Sequence, residues 1–180
     1  MLDTSLTKIR RWPLTLLALS LTGCGLTQSV SDGTKSAFSS VFYKKIKVLH
    51  LDFVAREELN TDTRESNAFS APVLVRIYQL RDTKIFENML YQQLVKEGDV
   101  LLKDDLLASR NVVLKPGGSV SLDMPMETNT RFVGIVGLFR QPDQEKNTWK
   151  LILDREALDP DKPRVIEAGN NQLTPIPEKE

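Results

Sequence analysis

Apolar and polar residues alternate with period two over residues 46–55. Leu49, Leu51, Phe53 and Ala55 fall on one side and His50 and Asp52 on the other, the pattern of a half-buried strand. Val48 beside Leu49 interrupts the alternation and suggests a bulge. A second strand is predicted over 72–80, with Val73, Val75 and Ile77 opposed to Arg76 and Tyr78, and Pro72 placed where a strand's first residue needs no ladder donor. Residues 111–114 and 120–124 flank Pro116-Gly117-Gly118, whose glycines accept positive φ, so a hairpin is predicted there with Ser119, Ser121 and Asp123 outward. The run 132–139 is apolar on both faces, as in a central strand covered on each side, and Gly134 and Gly137 mark close backbone approach or bending. Trp149, Leu151 and Leu153 alternate against Lys150 and Asp154, and Val165-Ile166 between Pro163 and Gly169 is a further short candidate.

One stretch has a different period. Phe86, Leu90 and Leu94 recur every four residues, joined by Met89, which predicts an amphipathic helix capped by Asp82 or Thr83 and ended by Gly98. Leu101, Leu102, Leu106 and Leu107 predict a second short helix over 100–107. Both lie between the second and third strands and are expected at the edge or one end of the sheets. Six or seven strands, turn residues between most of them and no alternation of strand with helix predict a mainly β fold, a two-sheet antiparallel β-sandwich with a short helical insertion.

The N-terminus carries a separate signal. Lys8, Arg10 and Arg11 precede an apolar run over 12–21 and then Thr22-Gly23-Cys24, the three-zone pattern of a secretory signal. The apolar run is about half of the roughly 20 residues that a membrane-spanning helix needs. Leu21-Thr22-Gly23-Cys24 resembles the lipobox of bacterial lipoproteins. That resemblance implies cleavage after Gly23 and acylation of Cys24, with two or three chains together giving durable anchoring. It also favours the outer membrane, because residue 25 is Gly rather than Asp. The alternative is an ordinary cleaved signal with a cysteine nearby. The chain then divides into a signal peptide at 1–23, the lipidated Cys24 and a flexible polar tether at 24–39, a sandwich domain at 40–174 and a disordered tail at 175–180.

Composition narrows the chemistry. The 180 residues balance 24 Lys and Arg against 24 Asp and Glu, so the basic surface that drives non-specific nucleic-acid binding is not expected. Loss of residues 1–23 removes Lys8, Arg10, Arg11 and Asp3 and makes the remainder mildly acidic. One cysteine permits neither an internal disulfide nor a Cys-rich zinc cluster. The single His50 gives nucleophile triads no spare candidate and reads as a strand residue. Pro116-Gly117-Gly118 lacks the phosphate-loop pattern, and Asp99, Asp104 and Asp105 lack the alternating ligands of a calcium loop and read as a solvated face. No catalytic residue, metal, cofactor or small-molecule substrate is expected; the one added group is covalent lipid on Cys24.

The lipobox at Cys24, the strand Ala71-Pro72-Val73-Leu74-Val75-Arg76-Ile77-Tyr78-Gln79-Leu80, Phe86, Leu114-Lys115-Pro116-Gly117, and Phe132-Val133-Gly134-Ile135-Val136-Gly137-Leu138-Phe139-Arg140 with Trp149 together resemble the type VI secretion lipoproteins of the TssJ or SciN type. The likeness extends to about Leu153, with Lys150 standing where Arg is expected. It implies a transthyretin-like sandwich, lipid-anchored in the outer membrane and facing the periplasm. Such a protein would bind the periplasmic C-terminal region of an inner-membrane TssM or IcmF-like subunit, without catalysis. It further implies that the loop between the first two strands, residues 57–70, takes part in that binding. The residues alone point the same way: a polar connection this long exceeds what a tight hairpin needs, and long connections are often functional. The candidate contacts are Glu57, Glu58, Leu59, Asn60, Asp62, Arg64, Glu65 and Asn67, with Leu59 as apolar anchor and the charged groups as rim. Shortening 59–66 is then expected to abolish binding while the fold persists. The competing expectation is another lipid-anchored periplasmic binding or assembly module on a sandwich. A carbohydrate binder would use Tyr43, Tyr78 and Trp149 for stacking, and a hydrolase would need carboxylates converging in a pocket.

Overall fold

The computed structural model describes residues 46–62, 64 and 69–177. The signal peptide, Cys24, the tether and Tyr43 lie outside the described residues, as do Glu65 and Asn67 of the candidate loop. Among the described residues, eight strands form two four-stranded sheets. In chain order they are β1 (Val48–Ala55), β2 (Val73–Leu80), β3 (Leu106–Leu114), β4 (Ser119–Pro125), β5 (Phe132–Gly137), β6 (Lys150–Asp154), β7 (Arg164–Gly169) and β8 (Gln172–Pro175). The first sheet has the order β4-β1-β7-β8 and the second β3-β2-β5-β6. The expected sandwich is present, with two corrections to its pairing. β1 and β7 run parallel, so the first sheet is mixed rather than purely antiparallel. The segment 115–118 does not close a hairpin: it crosses between sheets, since Leu114 pairs with Val73 and Ser119 with Val54. A Pro-Gly-Gly turn dictates chain reversal but not which neighbour each arm then pairs with.

The two sheets differ in what covers their outer faces, and the sequence patterns follow from that. On β1, Leu49, Leu51, Phe53 and Ala55 are buried between the sheets, whereas Val48, His50, Asp52 and Val54 face outward. The β1–β4 register runs without a shift from Val48 to Val54, so Val48 is an outward strand residue and no bulge forms. His50 meets its cross-strand neighbour Asp123, Nδ1 to Oδ1 at 2.6 Å, and not Asp52. On β2 and β5 both faces are covered. Val75, Ile77, Val133 and Ile135 point to the first sheet, while Tyr78, Leu80, Gly134 and Val136 lie beneath the helices.

Those helices are α1 (Lys84–Asn88) and α2 (Tyr91–Leu101), and they form a third layer on the outer face of the second sheet rather than sitting at an edge. Phe86 packs over Gly134, where a Cβ would lie 2.8 Å from its ring. Arg76 reaches up to donate to the carbonyls of Leu94 and Val95 at 3.0 and 3.2 Å. The single predicted helix is broken at Met89-Leu90, where extended backbone lets the chain turn back across the sheet. Lys150 fixes this break by donating Nζ to the carbonyls of Phe86, Glu87 and Met89 at 2.7–3.1 Å, satisfying a helix end that has no further turn. Gly98 lies inside α2 instead of ending it; Tyr78 Oη would sit 2.6 Å from a Cβ there, so packing explains this glycine. The second helix expected over 100–107 is absent, because Leu106 and Leu107 already belong to β3. β8 was not expected, and it carries pairing to Pro175, one residue into the segment read as tail.

The strand registers give the sandwich two distinct ends. One end gathers the described parts of 56–72 with 115–118, 138–149 and 170–171, the connections leaving or entering Ala55, Val73, Leu114, Gly137, Lys150 and Gly169. The other holds the start of β1, where the preceding chain joins, and 126–131. There Met126 N donates to Lys47 O at 2.9 Å and Arg155 Nη2 to Ile46 O at 2.9 Å.

Candidate functional site

The part of the loop that directly follows β1 is stitched to three other connections. Gly117 N donates to Arg56 O at 3.2 Å and Asn170 N to Glu58 O at 2.9 Å. Asn171 Nδ2 donates to Thr61 O at 2.9 Å. Asn60 carries the deepest of these links. It is buried, adopts φ +52°, donates Nδ2 to Pro72 O at 2.9 Å and accepts from Arg140 N on Oδ1 at 2.7 Å. Asparagine suits the position because its short amide tolerates the left-handed region and supplies both a donor and an acceptor. Asn147, Asn170, Asn171 and Gly117 have positive φ at the same end, so tight turns frame the loop.

Asp62 forms a second latch. Its carboxylate takes Arg64 Nε at 3.0 Å and Nη2 at 2.9 Å, accepts the Arg64 backbone N–H at 3.0 Å, and receives Gln141 Nε2. The Arg64 side-chain hydrogen bonds dominate in lowering its pKa from 3.8 to about 2, against an opposing effect of burial. The planar guanidinium binds the carboxylate through two N–H groups, a geometry that favours the ionised form.

These contacts sort the candidate residues into two groups. Leu59 is fully buried in the chain's own core and offers no apolar surface; Asn60 and Asp62 are buried and occupied internally. Leu59, expected as the loop's buried anchor, packs into the chain's own core in this structure: an isolated apolar residue between strands fills the nearest core. Glu57, Glu58 and Arg64 are exposed. Shortening 59–66 would remove core and latch together, so it cannot separate binding from folding. The residue that sequence reasoning missed is Phe69, whose side chain is 71% exposed at the loop's return to β2. Its signal was legible: an aromatic in a polar stretch, three positions before the predicted strand. Tyr78 and Trp149 are buried, which removes them as sugar-stacking platforms. Trp149 packs edge-on against Tyr91 at 5.0 Å, and Tyr91 Oη donates to Phe139 O at 2.5 Å, so helix turn and loop end are joined.

Among the described residues, no group of three or more His, Cys, Asp or Glu is placed to hold a metal ion, and no helix is long and apolar enough to cross a membrane. Among the described residues, this end presents the exposed charged groups Glu57, Glu58 and Arg64 and the exposed aromatic Phe69, a surface suited to contact with another macromolecule.

The family model for type VI secretion lipoproteins, described by the names VasD, EvfM and TssJ, matches residues 47–171. No curated protein sequence matches the chain. A chain in the solved structure described as the T6SS protein TssM C-terminal domain from EAEC is 44% identical, with 74% of this chain and 100% of that one covered and a TM-score of 0.67. A chain in a structure described as a type VI membrane complex is likewise 44% identical over 74% and 100% of the two chains, with a TM-score of 0.69. Serratia marcescens Lip, a membrane-bound component of the type VI secretion system, is 22% identical over 73% of this chain and 98% of its own; its TM-score of 0.64 reports the fold.

Proposed function

Because the chain belongs to the type VI secretion lipoprotein family, we propose that it is the lipid-anchored, non-catalytic subunit of a type VI secretion membrane complex. Acyl chains on Cys24, exposed by cleavage of residues 1–23, hold it in the outer membrane facing the periplasm, with 24–39 as tether. The loop end of the sandwich binds the periplasmic C-terminal region of an inner-membrane TssM or IcmF-like subunit. The carrying observation is that relatives 44% identical, each covered over its full length, are found in structures described by the TssM C-terminal domain and by the membrane complex. The domain's polarity supports the reading, since the chain enters β1 at the end opposite the clustered loops. The tether thus joins the body at the end opposite those loops and leaves them clear of its attachment.

On this reading Phe69 is the apolar contact, with Glu57, Glu58, Arg64, Glu65 and Asn67 around it, while Asn60 and Asp62 hold the loop in shape. Calorimetric titration of the partner's periplasmic region tests it. Phe69→Ala should weaken binding roughly tenfold or more with unfolding stability unchanged, because exposed aromatics dominate such contacts. Unaltered affinity for Phe69→Ala combined with Glu58→Lys would refute the loop assignment. The anchor is tested separately: Cys24→Ser should lose acyl mass and membrane sedimentation while keeping its circular dichroism, and persistent pelleting would overturn it.

A further inference from the structure

At the entry end of the sandwich, an open cleft of about 620 Å³ is lined by Arg81, Asp82, Thr128, Asn129, Thr130 and Arg131. Its walls are fixed by the fold. Arg81 N donates to Asp105 O and Arg131 N to Leu80 O, both at 2.9 Å, which sets the two arginines on neighbouring connections. The Arg81 guanidinium is steadied by Asp104 O at 3.2 Å, and that of Arg131 lies 5.6 Å from the Phe132 ring centroid. The floor is held from below. Arg155 Nη1 donates to the carbonyls of Glu127, Thr128 and Thr130 at 2.9–3.2 Å, and the buried Gln79 accepts from Glu127 N and Thr130 Oγ1 at 2.7 and 2.8 Å. Asp82 accepts Lys84 N on Oδ1 at 2.8 Å and is one of the residues that line the cleft. These contacts with the Lys84 backbone lower its pKa, so Asp82 is a carboxylate at neutral pH.

Two guanidiniums beside one carboxylate on a fixed polar floor are complementary to a ligand with a phosphate and an ammonium a few bonds apart. A purely anionic ligand would meet Asp82, and a purely cationic one would meet both arginines. The cleft also adjoins the point where the chain enters the domain, because Arg155 joins its floor to Ile46 O. On the anchored reading proposed above, that end is the one the tether links to the bilayer. We propose that the Arg81, Asp82 and Arg131 cleft is a binding site for phosphoethanolamine, the phosphate on the arginines and the ammonium on Asp82, placed to take the headgroup of a phosphatidylethanolamine lipid.

The test uses the full mature chain carrying Cys24→Ser, so that binding is read without acylation. Phosphoethanolamine, inorganic phosphate and ethanolamine are titrated separately by NMR, following the Arg81 and Arg131 side-chain resonances. Phosphoethanolamine should saturate in the millimolar range, and Arg81→Gln or Arg131→Gln should weaken it roughly tenfold, as expected when a charge-assisted hydrogen bond is lost. Asp82→Asn should remove the preference for phosphoethanolamine over inorganic phosphate while leaving phosphate binding in place. Flotation then separates the two sources of the ligand. Vesicles containing phosphatidylethanolamine should carry more protein than vesicles of phosphatidylglycerol or phosphatidylcholine, with the preference lost in Asp82→Asn. Binding of the free compound without vesicle preference would overturn the lipid assignment, and absence of a saturable response to phosphoethanolamine would overturn the site. Neither outcome depends on acylation, which is read by the mass of the native N-terminus.

Discussion

On the proposed reading, Asn60 is the position where folding and partner binding are most tightly joined. Replacing it with Ala removes the donor to Pro72 O and the acceptor for Arg140 N, each in a partly buried setting. An orphaned buried polar group costs about 1–3 kcal/mol. Arg140 is exposed, so water can partly replace that bond and its cost falls toward the lower bound. Alanine at φ +52° adds roughly 1 kcal/mol of left-handed strain. The expected loss is about 3 kcal/mol in total. With a urea m-value of about 2 kcal/mol/M, typical of small domains, the unfolding midpoint should drop by roughly 1.5 M. Asn60→Gly relieves the strain but gives the unfolded chain more freedom, so it should recover at most about 0.6 kcal/mol relative to Ala. Partner affinity should fall in both variants although Asn60 itself is buried, because the loop loses its link to the segment at Arg140. A midpoint shift below about 0.3 M for Asn60→Ala would refute the claim that these bonds hold the loop. Stability loss with undiminished affinity would refute the coupling to binding.

Lys150→Met keeps much of the side chain's bulk but removes three donations to the end of α1 and the cation's placement over Phe86 and Trp149; thermal unfolding should report a loss of about 2 kcal/mol. Gly134→Ala puts a methyl group 2.8 Å from the Phe86 ring and 3.2 Å from Leu80, so α1 must lift and stability should fall by about 1–3 kcal/mol, whereas unchanged stability would mean the helix layer is loosely packed. Asp62 has a folded pKa of about 2 against an ordinary 3.8, so its latch contributes fully above pH 4 and is lost as pH falls through that interval. NMR of the Gln141 side-chain amide and Arg64 Nε should therefore titrate near pH 2; a midpoint near 4 would show that the carboxylate is not held by Arg64.

Period-two patterning located most of the strands because one face of each is apolar, and the doubly apolar run 132–139 correctly signalled a strand covered on both sides. β8 escaped notice because a four-residue edge strand ending in Pro175 carries too little pattern, and its partner β7 does the specifying. Phe86, Leu90 and Leu94 suggested one helix, yet Leu90 is 67% exposed at the break, and only the Lys150 donors and the sheet beneath explain where the chain turns back. Loop 57–70 was legible as a long polar connection. Which of its residues are available was not, since Leu59 joins the core and Asn60 and Asp62 bond to Pro72, Arg140 and Gln141, the last two remote in sequence.

Residue order alone determined the class of structure: alternation specifies strands, the four-residue period specifies helix, and a charged, apolar and small-residue sequence before Cys24 specifies an expected cleavage and anchoring signal. These are local properties, readable because each depends on neighbours within a few positions. Tertiary structure decided the parallel β1–β7 pairing, the passage of 115–118 between sheets, the helix layer over β2 and β5, and the separation of loop end from entry end. Those features arise from contacts between segments distant along the chain, where burial of whole faces and pairing of buried polar groups select one arrangement among many that local pattern permits.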